Sequence, residues 1–434
     1  MVFMRRIVLG VSWWALLAAA VGQVPTDTTV VLTETVGGPR SLLVAVSSAG
    51  AMTTFGRFPS DALPPLAVAL DPIDRQVVVA VDLGGGTSRL LRLLPGAGTA
   101  FAGEVVLADV PGRCEQLSVA GEWLLAVVGG GSGGVYRLPR RGGSALRTVT
   151  LPQACALLAF GSSDVAIVLW SGATPTPSAP GLVHVDTATG QVLFGPFAFQ
   201  NRIGARPTGL IDLPTALSRQ LIAFADGTYW LHVGGLGDPT AVPMNPQPPP
   251  GGAVAFFPDG SSAFAGIAVG GAALPALYRA DSSGNASLIA FPLPGAPVDF
   301  APPLPAFPQV LPFGDACGPQ PLQLVLGVMG PPQVGNTSFD VRVGNALPLQ
   351  LAFFVAGADD VLGGALPLPV LGCPLHVSPD SIDFVVTNAG GLGIKTLPIP
   401  NVAALASAML FAQWAQFTPG GLSASSAMAI QVGL

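Results

Sequence analysis

Leu90-Leu91-Arg92-Leu93, Val135-Tyr136-Arg137-Leu138, Val183-His184-Val185-Asp186, Leu231-His232-Val233 and Leu277-Tyr278-Arg279-Ala280 are five versions of one short strand. Counted between their basic or imidazole positions, they recur at steps of 45, 47, 48 and 47 residues. Aliphatic and β-branched runs alternate with Gly/Pro turns between them, and no helical period intervenes. A repeat of about 40–50 residues built from short strands marks propeller blades, each burying its apolar faces only against its neighbours.

Written out, each unit is strand, turn, strand, turn, strand. Leu66–Leu70 leads through Asp71-Pro72-Ile73-Asp74 into Gln76–Val81, then through Gly84-Gly85-Gly86 into Arg89–Leu94. Such turns supply the positive φ or the side-chain cap that tight antiparallel connections need. The units Thr28–Ala62, Pro64–Val110, Gly112–Leu151, Pro152–Gln200, Arg206–Asn245 and Gly251–Leu293 give six blades. Pro297–Phe313 is either a closing strand paired with Thr28–Thr35 or an incomplete seventh blade. The fold expected is all-β: a six-bladed, alternatively seven-bladed, β-propeller over 28–301.

From Phe313 the repeat is lost. Phe339-Asp340-Val341-Arg342-Val343 alternates strictly, with three apolar residues on one face and two charges on the other. Strands are expected at Leu322–Met329, Pro348–Val355, Ile382–Thr387, Met409–Phe417 and Ser426–Val432. That pattern suits a small β-sandwich over 313–434, with the proline-rich 302–312 as linker.

Composition sets limits on function. The chain has 434 residues, of which 50% are hydrophobic and 10% charged, with 56 glycines and 44 prolines. That hydrophobicity argues against the disorder that so much Gly and Pro would otherwise suggest. Net charge is −6 and Lys395 is the only lysine, so no basic stripe exists to neutralise several phosphates; nucleic-acid binding is excluded. Arg5 and Arg6 precede the apolar stretch Ile7–Val21, and Ala20-Val21-Gly22 offers small residues for cleavage. Residues 1–22 therefore read as a secretory signal peptide, too short for a membrane span. The mature chain is expected outside the cytoplasm (secreted, periplasmic or at the cell surface), without a membrane span and as a monomer.

Four cysteines in an exported chain suggest two disulfides, with three pairings formally possible. Cys114 and Cys155 each precede the first strand of neighbouring repeats, whereas Cys317 and Cys373 fall in the C-terminal region. The expected pairs are Cys114–Cys155 and Cys317–Cys373, closing loops of 41 and 56 residues.

Few residues point to chemistry. His184 and His232 occupy the repeat position held elsewhere by Arg92, Arg137 and Arg279, and are expected on an exposed strand face as structural residues. His376 has no partner at metal-ligand spacing, and the loop pair Asp359-Asp360 is a weak site for a divalent ion. Many aspartates, among them Asp71, Asp226, Asp238, Asp259 and Asp281, mark turns. Neither a metal site nor a cofactor is expected. The candidates that remain are Glu115, Asp212 and Asp299, near or within the innermost strands, with Arg206 close by. Carboxylates converging at a channel mouth would serve as acid and base on a polysaccharide, or bind a sugar or cation.

Two resemblances add to this. The hairpins His184–Val192 and Leu277–Ala286 resemble the outer strands of secreted propeller repeats of the YVTN or quinoprotein-like kind. The tryptophan docking motifs of quinoprotein dehydrogenases do not recur at the period, so the resemblance implies architecture and no cofactor. Phe313-Gly314-Asp315-Ala316-Cys317-Gly318, Gly372-Cys373-Pro374, Ile399-Pro400-Asn401, Phe411-Ala412-Gln413 and the Ser-rich terminal strand resemble a C-terminal module of secreted planctomycete proteins. That resemblance implies attachment or sorting and no reaction. The function expected is a non-enzymatic binding or scaffold protein with an unidentified protein or glycan ligand; the alternative is an extracellular polysaccharide hydrolase or lyase.

Overall fold

The computed structural model describes residues 28–433, apart from 35–39, 48, 72, 74, 96–100, 121–122, 130–133, 150–154, 163–164, 171–177, 187–188, 190, 214–218, 234–237, 243–253, 257–261, 268–274, 281–285, 291, 295, 302–308, 328, 358–365, 368–372, 403–404 and 406–407. The chain divides into two compact units, Asp27–Pro305 and one containing Ala306–Leu434.

The first unit is a propeller of six four-stranded antiparallel sheets. Blade 1 contains β1 (Thr28–Glu34), β2 (Ser41–Ser47) and β3 (Met52–Thr54). Blade 2 is β4 (Pro65–Leu70), β5 (Val77–Gly84), β6 (Thr87–Pro95) and β7 (Phe101–Pro111). Blade 3 is β8 (Arg113–Ala120), β9 (Trp123–Gly129), β10 (Gly134–Pro139) and β11 (Leu146–Val149). Blade 4 is β12 (Cys155–Ser162), β13 (Val165–Trp170), β14 (Gly181–Asp186) and β15 (Val192–Ala198). Blade 5 is β16 (Pro207–Leu213), β17 (Arg219–Phe224), β18 (Tyr229–Val233) and β19 (Thr240–Val242). Blade 6 is β20 (Val254–Phe256), β21 (Ser262–Ile267), β22 (Pro275–Ala280) and β23 (Ala286–Ala290).

β24 (Ala296–Ala301) completes blade 1 as its innermost strand, pairing Val30 with Ala301 and Glu34 with Ala296. The ring thus closes by joining the end of the unit to its beginning, and Pro297–Phe313 does not begin a seventh blade. Both faces of each blade need cover, which explains why the strands read as continuous apolar runs. Leu90, Leu117, Val128 and Leu138 fill the space between blades 2 and 3; Val127, Val168 and Val185 fill the next. Val31 and Val44 of blade 1 meet Leu277 and Ala290 of blade 6 across the closure. Each fully buried Val or Leu of this kind contributes about 1.5–3 kcal/mol.

The second unit is a sandwich. One sheet has the order β25-β34-β33-β28-β31, from β25 (Gln309–Phe313), β28 (Leu351–Gly357), β31 (Ser381–Val386), β33 (Met409–Thr418) and β34 (Gly421–Gln431). The other is β26 (Gln323–Leu326), β27 (Asp340–Gly344) and β32 (Gly393–Thr396); β29 (Leu366–Pro367) and β30 (Pro374–Leu375) form a separate short pair. Phe339, Val341 and Val343 meet Phe354, Ala412 and Trp414 between the sheets.

Two expectations change. Gln309–Pro312, inside the segment read as linker, belongs to a strand that runs to Phe313 and pairs with β34. It is an edge strand, where Pro312 is tolerated because one side of its backbone needs no partner; the proline-rich 302–308 lies outside the described residues. Asp340, expected on the polar face, is buried, where its carboxylate accepts from the Met329 N–H and pairs with Arg342.

Candidate functional site

The innermost strand of a blade pairs on one side only, so its other edge faces the channel with backbone groups to satisfy. Asp299 of β24 meets one such need: its Oδ2 accepts the Val68 N–H of β4 at 2.9 Å. Burial pushes its carboxyl up to about 7, against the downward pull of the Val68 and Phe300 amides. This aspartate ties the closing strand to blade 2. Its geometry is that of a backbone-bonded carboxylate.

Glu115, near the start of β8, lies over Gly129 at the end of β9, where an added Cβ would stand 2.8 Å from Oε1. A side chain at 129 would have to displace the Glu115 carboxylate. Its Oε2 is 3.5 Å from Nη2 of Arg206, which immediately precedes β16. Blades 3 and 5 are therefore bridged by an ion pair, in which Arg206 is 63% exposed and Glu115 26%. Asp212 sits on β16 opposite Gln220, and its side chain lies outside the described residues.

Arg206 also borders an open cleft of about 480 Å³, lined by Asn201, Arg202, Ile203, Phe224 and Asp226. A short 3-10 turn, Gln200–Arg202, carries Arg202 into it. Its guanidinium lies 4.4 Å from the Phe224 ring centroid and 4.8 Å from that of Trp230. Nη2 bonds Asp226 Oδ2 at 2.6 Å and Thr228 Oγ1 at 3.3 Å. Burial would raise the Asp226 carboxyl, but bonds from Thr228 and Arg202 outweigh it and hold the group low. Two rings and a charge-assisted bond thus fix one wall of the cleft, with Arg206 on another. Asp226 did act as the turn residue expected, accepting the Thr228 N–H at 3.0 Å. Sequence reasoning missed Arg202, Phe224 and Trp230. The only signal was the Asp226-Gly227-Thr228 turn leading straight into the aromatic start of β18, Tyr229-Trp230.

The repeated basic positions all fall on third strands, but not on an exposed face. Arg92 and His232 are buried, which corrects that expectation: each blade face is covered by the next blade. His232 Nδ1 is 2.9 Å from Gln220 Oε1, and its ring centroid is 5.3 Å from Phe199. His184, half-buried, has its ring centroid 5.8 Å from Phe194, and Arg137 lies 4.0 Å over the Trp123 ring. Arg92 and Arg140 each place a nitrogen 2.8 Å from the same oxygen of Asp71. Asp71 is more than a turn residue. Its Oδ1 accepts the Ile73 N–H at 2.9 Å, and Oδ2 anchors two guanidiniums between blades 2 and 3. Burial would raise its carboxyl, yet Arg140 and Arg92 hold it below the usual range.

Cys317 and Cys373 form a disulfide with Cα atoms 5.6 Å apart. Cys114 is free and buried, so the expected Cys114–Cys155 bond is absent. Strand alternation explains this: Cys114 points into the core shared with blade 2, away from blade 4, where β12 begins at Cys155. Its thiol donates to the Gln116 carbonyl, and burial pushes its pKa up. His376 donates its N–H to Gln413 Oε1 at 2.8 Å. Asp259, Asp281, Asp359 and Asp360 lie outside the described residues. Among the described residues no group of three His, Cys, Asp or Glu side chains is placed to hold a metal ion, and no helix is long and apolar enough to cross a membrane.

No protein-family model matches the sequence, and no curated protein does. Solved structures are similar at low identity. TolB from Acinetobacter baumannii aligns with 12% identity and TM-score 0.46, over 66% of this chain and 69% of its own. A Lactobacillus plantarum protein aligns with 12% identity and TM-score 0.39, over 63% and 98%. The computationally designed Ika8 protein aligns with 14% identity and TM-score 0.34, over 57% and 70%.

Proposed function

We propose that this chain is an exported, non-enzymatic binding protein whose propeller takes a protein or glycan ligand at the mouth of its channel. The observation that carries this reading is the Glu115–Arg206 pair standing at the edge of the open cleft around Arg202. A largely exposed arginine held at long range by its carboxylate is available for exchange onto a ligand group. Arg202, fixed between Phe224 and Trp230, gives the cleft a rigid wall, and rigid walls lower the entropic cost of binding.

The polysaccharide-cleaving alternative is less well supported. Glu115 faces a guanidinium and Asp299 a backbone amide, so the contacts of neither favour that alternative. Export is supported by residues 1–22 and by the Cys317–Cys373 bond, which persists in oxidising compartments. The likeness to a planctomycete module supports attachment or sorting by the C-terminal unit.

A glycan and small-molecule binding screen on the full exported chain tests the reading. Arg206→Ala is expected to weaken any ligand found by about tenfold, as for loss of one charge-assisted contact. Cleavage of a polysaccharide that is lost in Glu115→Gln would replace this reading with the enzymatic one.

A further inference from the structure

The outer face of the five-stranded sandwich sheet is covered on one half only. Cys317 and Cys373 pack with Ala415, Leu422 and Ala424 over β33 and β34. On the same face, Phe353 of β28 stands opposite both Ala415 and Phe384, so the surface continues across β28 onto β31. There it is apolar and open among the described residues. Ile382, Phe384 and Val386 are each more than half exposed, Leu351 nearly half, and Phe417 extends the patch by an edge contact with Phe353 at 5.7 Å.

Among the described residues β31 is also an edge strand, paired with β28 alone. The Phe384 N–H bonds its own Asp383 Oδ1 at 2.8 Å, which turns that amide toward the free side. Natural edge strands are blunted by lysine and other charged side chains, by proline, by bulges or by cover from a helix or loop. Ser381–Val386 contains neither lysine nor proline, and its one charge, Asp383, is already neutralised by Lys395. The strand is self-complementary in one register. A two-fold axis at Phe384 sets Ile382 opposite Val386 and Asp383 opposite Val385, so no like charges face each other. Every open apolar side chain of β31 then meets an apolar one across the seam.

We propose that a second copy of this chain pairs antiparallel along β31 about that axis, joining two five-stranded sheets into one and covering the Ile382–Phe384–Val386 face. Such a contact is isologous and closes at the dimer. It replaces the local Asp383–Phe384 bond with ladder bonds to the partner. The monomer expected from the sequence becomes the dissociated state of this pair. The inference does not depend on the ligand reading of the propeller.

Sedimentation of the full exported chain over a dilution series tests it, with a monomer–dimer equilibrium expected. Phe384→Lys, at an exposed position, is expected to raise the dissociation constant by about tenfold or more. In the two-fold register the two Phe384 Cα atoms stand about 5.5 Å apart, within disulfide reach. Phe384→Cys is therefore expected to give a covalent dimer under mild oxidation, above the background of the unsubstituted chain. Thr396→Cys, exposed on β32, is expected to give none. A monomer at every concentration, a dimer indifferent to Phe384→Lys, or equal cross-linking from both cysteine variants would each overturn the proposal, as would a different protein seated on β31 with no self-association.

Discussion

Asp71 and Asp299 are two aspartates set between blades of one propeller, and burial acts on them in opposite company. Asp71 sits between blades 2 and 3 against two guanidiniums and a backbone amide, and its carboxyl is held low. Asp299 sits at the channel with backbone amides alone, and its carboxyl is pushed up to about 7. Desolvation opposes the charged form at both sites. Full opposite charges at hydrogen-bond distance overcome it, whereas amide dipoles do not. The first site is therefore a structural ion cluster. The second titrates in the neutral range because nothing beside it compensates the charge.

The largest effect expected from this contrast is at Asp71. Asp71→Ala leaves Arg92 and Arg140 buried without their shared carboxylate, and stability should fall by about 3–5 kcal/mol. Chemical denaturation measures this. Should the variant not fold, Asp71→Asn, which retains the acceptor for the Ile73 N–H, reports the charge contribution alone. A loss below about 1 kcal/mol would show that the cluster contributes little. Because the folded carboxyl is lowered, its stabilisation is present above the unfolded value of 3.8 and lost as pH falls through that range.

Asp299 should behave with the opposite sign. Its folded pKa, about 7, exceeds 3.8, so between these values the native state holds a proton that the unfolded chain has released. Stability then declines as pH rises from about 4 to 7 and the penalty is constant above that. Asp299→Asn keeps an acceptor for the Val68 amide and removes the charge. Its melting temperature should match the parent near pH 4 and exceed it at pH 8. Equal differences at both values would refute the assignment.

The smallest effect is expected at Arg206. Its pair with Glu115 is long and exposed, and such pairs contribute less than about 1 kcal/mol. Arg206→Ala should leave the thermal transition nearly unmoved. A large loss would make Arg206 a structural clamp between blades 3 and 5 rather than a surface for ligand.

How much of this was legible in the sequence depends on the range of the interaction. The blades were legible because turn chemistry and apolar runs are local: Asp71 caps its turn through Ile73, two residues away. The closing strand was foreseen as one of two options, and only its pairing with Thr28–Glu34 decided between them. The disulfides divided the same way. Cys317 and Cys373 follow from both lying in one small domain. Cys114 failed because side-chain alternation turned it toward the wrong neighbour. Among the site candidates, proximity to the channel was readable, but the Arg206–Glu115 pair joins residues of two different blades. The Arg202 cleft escaped notice because no local motif marks an arginine that meets its rings and carboxylate on the next blade.

The row of basic residues from Arg92 to Arg279 shows where the division lies. The sequence by itself determined the period and the strands, because both are set by neighbours within a few residues along the chain, whereas the blade count waited on the pairing of the closing strand with Thr28–Glu34. Only the tertiary structure decided what each repeated position became: a buried ion partner at Arg92, a buried hydrogen-bonded ring at His232, a cation over Trp123 at Arg137. The same strand position meets a different surface on each following blade, and that surface fixes the burial, charge and partners of the side chain.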